Sequence, residues 1–241
     1  MGLETPNPKL VKRFNQGFSE GYEQFVSSRA QRTNFQLAYQ LYQEKRAIIE
    51  LQMDGPHTVL IFANRNQSFL LNDIFGVLAA HRIVVLGLSL HGRIRAPMLV
   101  FARLVLSQRG QPLSPQTSES LDYALRGALD AQFSVEGMFS PVFSLDGQLD
   151  RVSTTFAIDP LLHLPALSIE ARLHDPEQQT ALCYKIAHAL WQEDLIAINA
   201  DLQVWRSQSR MILHLLGPNA TQIPEYLGQK IAESVQQRLL G

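Results

Sequence analysis

Five consecutive polar residues precede an apolar segment near residue 70: Asn64-Arg65-Asn66-Gln67-Ser68, followed by Phe69-Leu70. The guanidinium of Arg65 could hold a carboxylate through two parallel hydrogen bonds, and the amides could recognise another amide. The sequence therefore predicts a small-molecule site formed by Asn64, Arg65, Asn66, Gln67, Ser68, Phe69 and Leu70. The alternative is a plain helix entry that Ser68 or Asn66 caps, with Arg65 in solvent.

A second polar loop, Asp175-Pro176-Glu177, precedes another apolar segment. It is the second candidate ligand-binding loop. The alternative is an ordinary helix start, because Asp is a good N-cap, Pro suits the first helical position and acidic residues favour the first turn.

Few residues suggest catalysis. The pair His174-Asp175 is typical of metal phosphohydrolases, but such sites need further ligands from helices, and His163 and His188 fall in a predicted turn and in mid-helix. Cys183 follows Leu182 in a predicted helix and is expected to be a small core residue. No nucleophile-elbow or phosphate-loop pattern occurs. We therefore predict no catalytic residue, no metal, no cofactor and no enzymatic activity.

Composition narrows the choice of partners. The net charge of −1 provides no overall field for nucleic acid or for an anionic membrane. No apolar run reaches the length of ~18 residues that a membrane span needs. The single cysteine cannot form an internal disulfide, so a reducing, cytoplasmic location is expected. A basic hairpin tip, Arg93-Ile94-Arg95 with Arg103 beyond it, is either a solvated end or a docking point for an acidic partner.

The elements that position these residues occur twice. Residues 68–90 can be laid on residues 180–202 without a gap, so that Leu70, Ile74, Leu78, Leu86 and Leu90 fall on Leu182, Ile186, Leu190, Ile198 and Leu202. Continuing this register places Leu99-Val100-Phe101 on Met211-Ile212-Leu213. Such a period indicates two copies of one structural unit.

Each copy is expected to contain two strands, a helix, two more strands and a closing helix. In the first copy these are 47–53, 58–63, 69–80, 83–95, 98–106 and 118–131. In the second they are 152–158, 166–173, 177–192, 195–206, 210–216 and 223–240. The helix after the second strand allows the second and third strands to run parallel. Each unit should then be a ferredoxin-like α+β fold, a four-stranded sheet with both helices on one face. Units of about 90 residues bury modest cores, so they should support each other or form a homodimer.

The predicted domains are an N-terminal helical segment (1–45), a first unit (46–131), a linker (132–150) and a second unit (151–241). The N-terminal segment should form helices over residues 7–27 and 33–45. The linker is rich in Phe, Gly, Ser and Pro.

This order of elements, with a ligand loop after the second strand, resembles the ACT domain, a regulatory module that senses small molecules. More closely, the chain resembles the tandem ACT region of the uridylyltransferase/uridylyl-removing enzymes that modify the nitrogen signal protein PII. The likeness lies in the segments Tyr22-Glu23-Gln24-Phe25, Thr58-Val59-Leu60-Ile61-Phe62, Gly110-Gln111-Pro112-Leu113-Ser114 and Arg151-Val152-Ser153-Thr154-Thr155-Phe156.

The two candidate loops depart from the family pattern, Asp-x-Pro-Gly-Leu-Leu. The first loop has neither the Asp nor the Gly, and the second keeps Asp175-Pro176 but is longer and lacks the Gly. The transferase activity of the related enzymes needs a separate N-terminal domain, for which this chain has no room.

The resemblance implies a non-catalytic regulatory protein. It would sense an amino acid, with glutamine the ligand that the resemblance implies, and would act on a partner enzyme of nitrogen or amino-acid metabolism. One alternative is an interaction module whose pockets no longer bind ligand, with Phe133, Phe139 and Phe143 among its docking residues. A second alternative is that the protein is an enzyme, which would need a buried cluster of titratable groups.

Overall fold

The computed structural model describes residues 6–130, 132, 135, 145 and 149–240. Within these residues lie seven α-helices and eight β-strands, as an α+β protein requires. In chain order they are α1 (Pro8–Asn15), α2 (Tyr22–Phe25), α3 (Ser28–Glu44), β1 (Ile48–Asp54), β2 (His57–Arg65), α4 (Leu70–Ala80), β3 (Val84–Gly92), β4 (Leu99–Ser107), α5 (Pro115–Leu129), β5 (Leu149–Ile158), β6 (Pro165–Leu173), α6 (Gln179–Gln192), β7 (Ile196–Trp205), β8 (Gln208–Leu216) and α7 (Glu225–Leu240).

All eight strands form one antiparallel sheet in the order β1-β2-β4-β3-β7-β8-β6-β5. The two halves therefore have the same strand order, in which the first strand is at the edge and the last lies between the second and the third. Strands β2 and β3 run parallel, as predicted, but β4 lies between them and pairs with both. The halves join where β3 pairs with β7, from Gly87 opposite Gln203 to His91 opposite Asn199. We call this junction the seam.

Local irregularities repeat at the predicted register. A bulge interrupts β3 between Val85 and Gly87, and another interrupts β7 between Ala197 and Asn199. Beyond α4 and α6 the chain turns through left-handed residues, Arg82 at φ 54° and Asp194 at φ 52°. Each of these pairs is separated by 112 positions. The structure thus confirms the predicted register from α4 to β3 and from α6 to β7.

The predicted register is wrong for the last strand of each unit. In β4, Leu104 pairs with Leu88 of β3, whereas in β8 it is Leu213 that pairs with Ala200 of β7. Leu104 and Leu213 are the corresponding residues, 109 positions apart. The hairpin between β3 and β4 is longer by three residues than the hairpin between β7 and β8. Successive side chains of a strand point to opposite faces, so a shift of three residues moves a side chain to the other face of the sheet. The prediction therefore matched Phe101 with Leu213, although these residues lie on opposite faces.

The main core lies between one face of the sheet and the helices α4, α5, α6 and α7. Apolar residues of both units belong to this one cluster, including Leu60, Leu104, Leu167 and Leu213, all almost fully buried. Helices α4 and α6 pack against each other across the middle of the molecule. The two units therefore share one continuous core.

In the described part of the chain, helices cover the opposite face of the sheet mainly over the first unit. There, helices α1, α2 and α3 form an N-terminal layer over Ile48, Ile61, Ala63 and Phe101. The strand pairings place four polar residues at the corresponding positions of the second unit: Ser153, Ser168, Glu170 and Arg210. A polar face is stable in water without a cover, whereas the apolar face of the first unit requires one.

The N-terminal segment departs in detail from the predicted helices. Instead of one helix over residues 7–27, α1 ends at Asn15, and α2 begins after Gly21, which has φ 82°. Helix α3 begins earlier than predicted, where the Ser27 hydroxyl accepts a hydrogen bond from Ala30. Most of the predicted linker, including Phe133, Phe139 and Phe143, lies outside the described residues.

Candidate functional site

In the first candidate loop, the residues before Asn66 and Asn66 itself lie in different surroundings. The Asn66 backbone N–H donates to the carbonyl of Met98 at 3.0 Å, and its side-chain amide donates to the carbonyl of Ala197 at 3.0 Å. Helix α4 begins without a side-chain cap, so neither Ser68 nor Asn66 caps it. Asn66 instead links the loop of the first unit to the bulge in β7 of the second.

The second candidate loop forms an ordinary helix start. The Asp175 carboxylate accepts a hydrogen bond from the N–H of Glu177 at 2.9 Å, and Pro176 begins a short 3₁₀ turn that leads into α6. This arrangement is the alternative considered for this loop, because the carboxylate satisfies a backbone donor at the helix start.

A side chain that follows the second loop also crosses the seam. The buried hydroxyl of Thr180 donates to the carbonyl of Ile83 at 2.7 Å and accepts from the N–H of Val85 at 2.9 Å. A bulge leaves backbone groups without ladder partners, and buried groups of this kind need a substitute. Thr180 at β3 and Asn66 at β7 provide that substitute, so each unit satisfies backbone groups beside the bulge of the other.

Asn64 and Arg65 lie elsewhere, at the end of β2, where they line a cleft of about 600 Å³. The other walls come from the N-terminal layer, the β3–β4 hairpin, the α3–β1 connection and the end of α5. We call this the basic cleft and define it by Lys45, Arg46, Asn64, Arg65, Arg93 and Asp130 together with Phe14, Phe35, Tyr39 and Tyr42.

Contacts on several sides hold the side chain of Arg93 in the basic cleft. Its guanidinium donates to the carbonyl of Pro97 at 3.0 Å and lies 5.3 Å from the centre of the Phe14 ring. Its Nε is buried without a hydrogen-bond partner in the described residues. Burial lowers the pKa of Arg93, but an arginine remains charged. This side chain is therefore a fixed cation with an unused donor.

The tip of the hairpin is held against the N-terminal layer. The carbonyl of Gly17 accepts hydrogen bonds from the N–H groups of Ile94 at 2.9 Å and Arg95 at 3.2 Å. A side chain at position 17 would collide with the guanidinium of Arg93, so glycine leaves the space that this guanidinium occupies. The layer and the hairpin together determine where the Arg93 charge lies.

The charge of the basic cleft is not balanced by its own residues. Arg46 pairs with Glu44 at 3.0 Å on the surface. Neither Arg65 nor Arg93 forms an ion pair with any described residue. Asp130 is the acidic residue among those that line the cleft. An excess of cations around a concave surface favours an anionic ligand, and guanidinium groups suit a carboxylate.

Aromatic rings form another wall of the basic cleft. Phe14 meets Phe35 edge to face, with 5.5 Å between ring centres. Tyr39 is 59% exposed and Tyr42 is 79% exposed, although both are large apolar residues. The wall therefore offers ring surface to a ligand beside the cations.

A second, smaller cleft of about 390 Å³ lies over the seam, beneath α2. The Ser89 hydroxyl and His91 Nε2 are 3.1 Å apart, within reach for a nucleophile and its base. Burial lowers the pKa of His91 to about 4, and the opposing charge of Asp201 compensates only in part. An imidazole with this pKa is a weak base at neutral pH, so the pair does not support nucleophilic catalysis.

The remaining candidates have structural roles or none. Cys183 is fully buried, and burial raises the pKa of its thiol to about 12, as expected for a core residue.

In the described part of the chain, no group of three or more His, Cys, Asp or Glu side chains is placed to hold a metal ion. Across the same residues, no helix combines the length and the apolar character needed to cross a membrane.

The ten predicted site residues do not form one pocket. Asn64 and Arg65 line the basic cleft and Asn66 reaches the seam, whereas Leu70 is buried in the main core. The residues Asp175, Pro176 and Glu177 form the turn that leads into α6, and this turn lies beside a separate small cavity. Sequence reasoning missed the cleft residues Arg93, Lys45 and the aromatic wall. The basic hairpin tip was the one available signal, and it did not indicate that Arg93 turns inward.

Comparison of this chain with models of known protein families and with curated proteins found no match.

Proposed function

We propose that this chain is a non-catalytic regulatory protein that senses a small carboxylate-bearing molecule, such as an amino acid, and acts on a partner enzyme. In this proposal the two halves are ACT-like units, as the resemblance of the sequence implies. The identical strand orders, the matched bulges and the matched helix ends support a duplicated sensory unit.

The observation that carries the proposal is the unpaired positive charge of the basic cleft. Arg65, predicted from sequence to hold a carboxylate, lines the same cleft as Arg93, whose Nε has no partner among the described residues. A ligand carboxylate in the cleft would accept hydrogen bonds from these guanidinium groups. Asp130, which lines the same cleft, would suit the ammonium group of an amino acid.

Regulation requires that binding alter the relative stability of two conformations. The walls of the cleft come from separate elements, the N-terminal layer and the first unit. A ligand that contacts both would stabilise their packing. A partner that binds only one packing would then respond to the ligand.

Isothermal titration calorimetry of the full chain tests the proposal with glutamine, glutamate, phenylalanine, leucine and 3-phenylpropionate. We expect at least one carboxylate to bind. Replacing Arg93 or Arg65 with Gln should weaken that binding by about ten- to a hundredfold, because a charge-assisted hydrogen bond is lost. Arg32→Gln is the matched control, since Arg32 is an exposed arginine of α3 that does not line the cleft. Absence of heat with every carboxylate at millimolar concentration would contradict the proposal.

A second candidate function is an interaction module without a ligand. The bridges made by Asn66 and Thr180 favour it, because they occupy backbone groups at the seam that a ligand bound there would use. This candidate predicts a stable complex with one protein partner in the absence of added metabolite. Dissociation of the partner when free amino acids are removed by dialysis would instead support the sensor.

A further inference from the structure

We propose that the ligand of the basic cleft is a carboxylate that carries an aromatic ring, and that it joins the N-terminal layer to the first unit. This inference rests on the proposed function and specifies the ligand class. It differs from the glutamine that the sequence resemblance implies.

The first argument is the composition of the walls. Arg65 and Arg93 provide guanidinium groups for a carboxylate. The rest of the surface is rich in ring carbon, from Phe14, Phe35 and Tyr42. A short polar ligand such as glutamine would satisfy the cations but would leave these rings in contact with water. A ring on the ligand would bury them, with the edge-to-face or offset contacts that aromatic pairs prefer.

The second argument is the exposure of the wall. Tyr42 is 79% exposed although it lies beside a concave surface, and Tyr39 on the same helix is 59% exposed. Tyrosine provides large, rigid contact area with few rotatable bonds, so its ordering on binding costs little conformational entropy. Both rings lie on α3, whereas Arg65 belongs to β2 and Arg93 to the β3–β4 hairpin.

The third argument concerns the joint between the layer and the sheet. The guanidinium of Arg93 already lies over the ring of Phe14, which belongs to α1. A carboxylate on Arg93 with its ring against α3 would therefore contact the sheet unit and the layer at once. Occupation of the cleft should reduce the opening of α1 and α3, which hydrogen exchange measures.

Calorimetry of the full chain with matched pairs of ligands tests the ligand class. The pairs are 3-phenylpropionate with hexanoate, phenylalanine with leucine, and phenylalanine with glutamine. We expect the aromatic member of each pair to bind about tenfold more tightly, as one buried aromatic contact provides. Phenyl phosphate is included to compare a phosphate with a carboxylate on the same ring.

Two variants locate the site. Tyr42→Ala should reduce the preference for the aromatic member of each pair to about twofold or less. Tyr123→Ala is its control, because Tyr123 is 75% exposed on α5 and does not line the cleft. Arg93→Gln should weaken aromatic and aliphatic carboxylates alike. Circular dichroism of each variant verifies that it folds, and both tyrosines are exposed enough for replacement to leave the fold intact.

The outcomes separate this inference from the proposed function. Equal binding of aromatic and aliphatic carboxylates, weakened by Arg93→Gln, overturns the inference and leaves the sensor intact. A preference for phenyl phosphate over 3-phenylpropionate also overturns it. Aromatic binding that Tyr42→Ala and Arg93→Gln do not change places the ligand elsewhere and overturns the inference. If no carboxylate binds, both proposals fail.

Discussion

At the scale of single residues, the same side chain has different roles in different surroundings. Arg103 on β4 is exposed and pairs with Asp54 at 2.7 Å, an interaction worth little in water. Arg93, at the end of the same hairpin, turns inward over Phe14, and its Nε has no hydrogen-bond partner among the described residues. Proximity in sequence therefore does not indicate which arginine binds a ligand. Gly17 contributes to the difference, because a side chain at position 17 would collide with the inward guanidinium of Arg93.

His91 links the cleft over the seam to the pH dependence of stability. Burial lowers its pKa to about 4 in the folded protein, from an ordinary value near 6.5. Between these values the unfolded chain binds more protons than the folded one, so the free energy of unfolding increases with pH across this window. The contribution of His91 is complete above about pH 6.5 and is lost as the pH falls toward 4.

We therefore predict that His91→Gln reduces the loss of stability between pH 6.5 and pH 4. The reduction should be on the order of 2 kcal/mol. Urea denaturation at a series of pH values measures it. The control is His163→Asn, because His163 lies in an exposed turn with φ 52°, which Asn tolerates. The same pH dependence in both variants would show that the burial of His91 has no effect on stability.

At the scale of elements, the N-terminal layer exists because one face of one unit is apolar. Ile48, Ile61, Ala63 and Phe101 require a cover, and α1, α2 and α3 provide it. Phe101 meets the rings of Phe14 and Phe18 at 5.9 and 6.0 Å between centres. The layer in turn provides one wall of the basic cleft, so the cleft depends on the difference between the two units.

Phe101→Ala tests the cover. We expect the free energy of unfolding to fall by about 3–5 kcal/mol, because a fully buried ring is removed and a cavity remains. Arg210→Ala is the matched control, since Arg210 occupies the corresponding position on the uncovered face and forms only an exposed pair with Glu170 at 3.6 Å. Its effect should lie within about 0.5 kcal/mol. Equal losses in the two variants would mean that the layer contributes little to stability.

At the scale of the whole molecule, the seam joins the two units into one sheet with one core. Strand β3 pairs with β7, α4 packs on α6, and the apolar residues of both units form one cluster. Asn66 and Thr180 add a hydrogen-bonded crossing on each side of the seam. A shared core of this kind favours unfolding in a single cooperative transition.

Replacing Thr180 with Val should lower the stability of both units together by about 1–3 kcal/mol, because the N–H of Val85 and the carbonyl of Ile83 lose their buried partner. Tryptophan fluorescence reports the second unit, which contains Trp191 and Trp205, and far-ultraviolet circular dichroism reports the whole chain. We expect both signals to shift equally in urea. Thr33→Val is the control. The hydroxyl of Thr33 donates to the carbonyl of Arg29 in the same helix, away from the seam. Separate transitions in the two signals would show that the units unfold independently.

The amino-acid sequence by itself determined the local elements and the duplication. Alternating and helical spacing of apolar residues predicts each strand and helix of the two units, because these periods arise from backbone geometry. The spacing of 112 positions also predicts that α4 matches α6 and that β3 matches β7. The apolar pattern predicted the wrong register for β4 and β8. A hairpin that is three residues longer moves a side chain to the other face of the sheet, but the side chain remains apolar, so the pattern does not reveal the shift.

Only the tertiary structure decided how the two units join and where the unpaired charge lies. Pairing of β3 with β7 depends on contacts between residues more than a hundred positions apart, and no local pattern encodes them. The basic cleft collects Phe14, Tyr42, Arg65, Arg93 and Asp130 from five separated segments. Local sequence determines the backbone conformation of each segment, but the burial of side chains and the balance of charge depend on packing between them. For this reason the sequence predicted Arg65 in a ligand site, but indicated Arg93 only as part of a basic hairpin tip.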